Sequence, residues 1–86
     1  MPDGSSPSLR LHLIYLRDGR MLVSRKEYAN WKEIQAEYEA YMASLGPWPL
    51  EEVVDFLTTE YSKAGERMRD AVIAFAESPM VSCELP

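Results

Sequence analysis

The chain of 86 residues holds one cysteine and one histidine, and these two scarcities remove most of the chemistry a small protein could carry. A single thiol, Cys83, closes no disulfide within the chain. Metal centres built from clustered histidine and cysteine ligands need several such side chains, so one copy of the chain cannot assemble them. His12 and Cys83 could serve as base and nucleophile only if the C-terminal tail came to lie beside the segment that carries His12. Glycine is scarce too, four in all, and there is no glycine-rich phosphate loop, no nucleophile elbow and no zinc-protease histidine pair. Nowhere do about 18 apolar residues run together, so no membrane-spanning helix is expected. Residues 1–8 are rich in proline, glycine and serine, carry an acidic residue and lead into no apolar signal core. They read as a flexible leader to a single domain over 9–86, expected in a reducing cytoplasm. No cofactor, no metal and no enzymatic activity are expected.

What is present is ordinary globular composition, 47% hydrophobic and 27% charged, with a net charge of -5. That total argues against nucleic acid or an anionic membrane as a partner for the whole molecule. The charge is segregated, however. Arg10, Arg17, Arg20, Arg25 and Lys26 face only Asp18 over residues 8–26, whereas eight carboxylates face only Lys32 over 27–60. The first segment is basic and the middle is strongly acidic.

The basic segment has the pattern of a β-hairpin. Leu9, Leu11, Leu13 and Tyr15 alternate, Asp18-Gly19 suits a two-residue turn, and Met21-Leu22-Val23 resumes the strand. Pairing about that turn sets Leu16 opposite Met21 and Ile14 opposite Val23. One face then carries Leu9, Leu11, Leu13, Tyr15 and Leu22, the other Ile14, Leu16, Met21 and Val23 with Arg10, His12 and Arg25. A lone two-stranded ribbon is marginal, so it requires cover.

Two starts fit the first helix, Ser24 with Glu27 and Asn30 with Glu33, both at capping-box spacing, and Asn30 is preferred. Trp31, Ile34, Tyr38, Tyr41 and Leu45 then form one helical stripe that Gly46-Pro47 ends. A second helix follows Pro49, with Glu51 and Glu52 at the positive end of its dipole. Val54, Leu57, Tyr61, Ala64, Met68, Ala71 and Phe75 keep a 3, 4 spacing up to Ser78-Pro79, which predicts a helix of about 28 residues and roughly 42 Å. The first helix, at about 16 residues, spans only about 24 Å. The expected fold is therefore α+β: an N-terminal antiparallel β-hairpin packed on an antiparallel two-helix hairpin with a long second helix. The alternating tail, with Val81, Cys83 and Leu85 on one side, is able to add a third strand or to fray.

The overhang of the long helix needs cover from the ribbon, a kink at Gly65 or a second chain. Leu57, Tyr61, Met68, Val72 and Phe75 form the candidate homodimer interface. Tyr28, Trp31, Tyr38, Tyr41, Trp48 and Tyr61 supply an aromatic set suited to core or interface. The expected function is non-enzymatic binding, as an inhibitor or adaptor, to a larger protein with a basic surface. Glu33, Glu37, Glu51, Glu52 and Asp55 would steer that encounter. By size and charge alone this resembles the small acidic proteins with which phages and mobile elements counter bacterial defence. The alternative is a homodimeric DNA-binding or antitoxin-like regulator that presents Arg17, Arg20, Arg25 and Lys26 on its ribbon.

Overall fold

A computed structural model describes residues 9–86; the expected leader, 1–8, lies outside them. Over the described residues the chain is α+β, built on a four-stranded antiparallel sheet with three helices. In chain order the elements are β1 (Arg10–Leu16), β2 (Met21–Ser24), α1 (Trp31–Glu37), β3 (Tyr41–Pro49), α2 (Leu50–Glu60), α3 (Ser62–Ala76) and β4 (Ser82–Glu84). The strands stand in the order β3-β1-β2-β4.

The hairpin forms, shifted by one residue from the expected register. Tyr15 pairs with Met21, Ile14 with Leu22 and Leu13 with Val23. The Leu16 N–H donates to the Arg20 carbonyl at 2.9 Å and the Gly19 N–H to the Leu16 carbonyl at 3.0 Å, while Gly19 takes φ +95°. This is a three-residue loop closed by a left-handed glycine, and the extra residue reverses the face that β2 presents. Met21 and Val23 therefore join Leu11 and Leu13 in one core, and Leu22 joins Ile14 and Leu16 on the other side.

β1 is one of the two inner strands, and Leu11, Leu13 and Ile14 are fully buried. With both faces covered, its peptide groups need partners on both edges. β2 supplies one set. The other comes from residues 41–49, expected to continue the first helix and found instead as the edge strand β3. α1 is consequently one short helix, capped by Asn30, whose Oδ1 accepts the Lys32 N–H at 2.9 Å. It ends at Glu37, and Tyr38 has extended dihedrals. Gly46 and the prolines of β3 are tolerable because an edge strand needs ladder bonds on one side only. Gly46 has φ +106°, and a Cβ there would stand 2.5 Å from the Leu11 carbonyl oxygen, so only glycine fits this approach.

The expected long helix is broken in two at Tyr61, with φ -125° and ψ 88°. Just before the break the Thr58 hydroxyl donates back to the Val54 carbonyl at 2.9 Å, a bond that bends helices. α3 then folds back so closely that a Cβ on Gly65 would lie 2.5 Å from the Leu57 carbonyl oxygen. The helical hairpin thus exists between α2 and α3, and the overhang disappears. Val53 and Leu57 of α2 meet Met68, Val72 and Phe75 of α3 over the Leu11, Leu13 and Val23 face. The five residues of the candidate dimer interface belong to this core, with Tyr61 packed at its margin, so they offer no exposed seam. On the opposite face α1 contributes Ile34, packed with Ile14, Leu16 and Tyr41.

The tail does add a strand. β4 pairs with β2, setting Cys83 opposite Val23, and Leu85 is buried in the larger core while Val81 is exposed.

Candidate functional site

Three surface regions hold the side chains that could act on something else. The first is the acidic set. The sheet separates it, because Glu33 and Glu37 belong to α1 on one face whereas Glu51, Glu52 and Asp55 belong to α2 on the other. These five carboxylates therefore do not share one face. Glu37 is also neutralised within the chain, since Lys26 Nζ pairs with its Oε1 and the Tyr28 hydroxyl donates to its Oε2 at 2.9 Å. The Lys26 hydrogen bond holds the Glu37 carboxyl below the ordinary carboxylate range, and the same bond raises the Lys26 ammonium. Glu33 accepts the Ala29 N–H at 2.8 Å, a local capping role. Glu51, Glu52 and Asp55 are exposed on α2 and form no ion pair among the described residues.

The second region contains the basic set. Arg20 bonds Asp18 through Nε at 2.8 Å and approaches Glu84 at 3.7 Å. Arg25 turns inward: its Nη2 donates to the Phe75 carbonyl at 2.5 Å and its guanidinium lies 4.6 Å from the centre of the Phe75 ring. It thereby serves the last turn of α3, where a cation is favoured by the helix dipole. Lys26 is held by Glu37. Of the four ribbon cations proposed for nucleic acid, Arg20 and Lys26 are ion-paired and Arg25 is held by the Phe75 carbonyl, whereas Arg17 has neither an ion pair nor a side-chain hydrogen bond among the described residues. Three of the four are thus engaged within the chain.

Where β1 and β2 diverge, Arg10, His12, Arg25 and Lys26 line a cleft of about 570 Å³ together with Leu9, Glu27, Tyr28 and Pro47. His12 is buried, and its ring meets that of Tyr28 edge-on at 5.1 Å. Burial holds the imidazole below its ordinary pKa, so it is neutral at pH 7. Burial also raises the Tyr28 hydroxyl. His12 and Cys83 do not form a pair. Side chains alternate along each strand, so His12 follows Ile14 to the α1 side while Cys83 packs against the α2 and α3 core. Burial pushes the Cys83 thiol up, away from a reactive thiolate. No group of three His, Cys, Asp or Glu residues able to hold a metal ion occurs among the described residues. Nor, among them, is any helix long and apolar enough to cross a membrane.

The third region is the edge of the sheet. The Arg17 N–H donates to the Ala40 carbonyl at 2.8 Å. Together with the Leu16 to Arg20 bond this fixes the alternation along β1: odd residues turn their peptide groups to β3 and even ones to β2. Ala43 and Leu45, opposite Tyr15 and Leu13, therefore bond β1, and the N–H and C=O of Ser44 face away from the sheet. Beside this edge lies a groove of about 520 Å³ lined by Arg17, Trp31, Gln35, Tyr41, Met42 and Ser44. Trp31 is 52% exposed and Met42 59%, so an apolar rim flanks the unpaired backbone.

Comparison with protein-family models, curated proteins and solved structures finds no match. The residues themselves carry the functional reading. Sequence reasoning missed both depressions because each depends on long-range pairing. The grouping of Arg10, His12 and Arg25 at one end of the hairpin was the only signal of the cleft. The exposed edge had none, since residues 41–45 continue a helical stripe.

Proposed function

We propose that the protein is a non-enzymatic binding module that takes an extended, basic segment of a larger protein onto the outer edge of β3. The observation that carries this reading is the outward-facing backbone of Ser44 beside the exposed Trp31 and Met42. An open edge strand is a template for strand addition, in which backbone bonds supply affinity and flanking pockets supply selectivity. Glu51, Glu52 and Asp55, in the first half of α2, follow on the Pro49 end of this edge. They favour lysine or arginine in the partner at that end and raise the rate of encounter. Glu51, Glu52 and Asp55 are thus retained as steering residues, and Glu33 and Glu37 are not. The nucleic-acid alternative is disfavoured by the intramolecular engagement of Arg20, Arg25 and Lys26.

A synthetic nine-residue peptide of alternating valine and threonine, with two lysines at one terminus, is the probe. It should bind the purified protein more weakly as salt rises, and replacing its lysines by glutamates should weaken it at low salt. Ser44→Pro removes an N–H that no ladder bond uses and should abolish binding while leaving the fold intact. Undiminished binding to Ser44→Pro would refute strand addition at this edge.

A further inference from the structure

We infer that the cleft at the open end of the β1–β2 hairpin binds a small organic monoanion, a carboxylate carried on an apolar body. Its volume of about 570 Å³ is that of a small-molecule site, and it shares no lining residue with the groove beside β3. The proposal is therefore independent of strand addition. Arg10, Arg25 and Lys26 bring three positive charges to the cleft, and Glu27 is the one carboxylate lining it. Glu37, paired to Lys26 from outside the lining, removes a second. One positive charge remains, which matches a monoanion and falls short of a phosphate dianion. The Arg10 guanidinium is exposed, and its planar donor fork fits a carboxylate.

The lining also selects an apolar body. Leu9, Pro47 and the Tyr28 ring form walls without charge, and the neutral His12 edge adds a donor without adding a cation.

The test uses the full chain labelled for amide NMR, titrated at pH 7 with sodium benzoate, benzamide and inorganic phosphate. Benzoate should give saturable shifts at His12, Lys26 and Tyr28 with a millimolar dissociation constant, and benzamide and phosphate should bind at least about tenfold more weakly. Arg10→Gln, at an exposed position, should weaken benzoate by about tenfold with the remaining amide spectrum unchanged. Shifts that do not saturate would overturn the assignment. So would benzamide or phosphate equalling benzoate, or an Arg10→Gln protein with unchanged benzoate affinity.

Discussion

Replacing Gly65 by alanine opposes two effects of known size, and the structure decides which prevails. Within a helix alanine is favoured over glycine by about 1 kcal/mol, so in a straight, uncrossed helix the exchange stabilises. Here the added methyl would stand 2.5 Å from the Leu57 carbonyl oxygen and 3.0 Å from the Thr58 Cα. Both neighbours are backbone atoms of α2 and cannot swing aside. Relieving the contact requires α3 to move off α2, which loosens Met68, Val72 and Phe75 against Leu57. Overpacking of this kind costs typically about 1–3 kcal/mol, and a contact with backbone belongs in the upper half of that range. The net expectation for Gly65→Ala is a loss of about 1–2 kcal/mol, a fall in Tm of at least about 4 °C for a domain of this size. Urea unfolding followed by circular dichroism measures it. A gain of stability would refute the reasoning, because it is what a continuous helix through Tyr61 would give.

Two other perturbations test the α1 face. Asn30→Ala removes the side-chain acceptor of the Lys32 N–H and should cost about 1 kcal/mol in the same unfolding assay; no loss would mean that α1 does not start there. His12 has a pKa lowered by burial from its ordinary 6.5, so over the interval between those two values the unfolded chain binds more protons than the folded one. Stability should therefore fall as pH drops through 6.5 and level off below the folded pKa of His12. His12→Gln should flatten this segment. Glu37 titrates in a separate, lower window: its folded pKa is depressed below 4.5, and its contribution is lost as pH falls from there.

How far the sequence foretold this arrangement can be traced residue by residue. Local signals were accurate wherever one segment decided the outcome. The Asn30 cap, the strand alternation from Leu9 to Tyr15 and the helical start after Pro49 all stand in the fold. Errors arose where a distant partner decided. Tyr38, Tyr41 and Leu45 have helical spacing, but the buried β1 required a second hydrogen-bonding neighbour, and that demand converts 41–49 into a strand. The 3, 4 spacing from Val54 to Phe75 runs through the Tyr61 break without interruption, so periodicity contained no trace of it. A hairpin loop one residue longer than expected reassigned Met21, Leu22 and Val23 to new faces. The acidic set was divided for the same reason: its five carboxylates follow one another in the sequence, yet α1 and α2 cover opposite faces of the sheet.

The role assigned to the β3 edge is tested most directly by amide hydrogen exchange at Ser44. In the free protein the Ser44 N–H should exchange rapidly while Ala43 and Leu45, bonded to β1, are protected. With the lysine-bearing peptide at saturation, Ser44 should become protected and Ala43 and Leu45 should change little. A Ser44 amide that stays unprotected while the peptide is bound would contradict strand addition at β3.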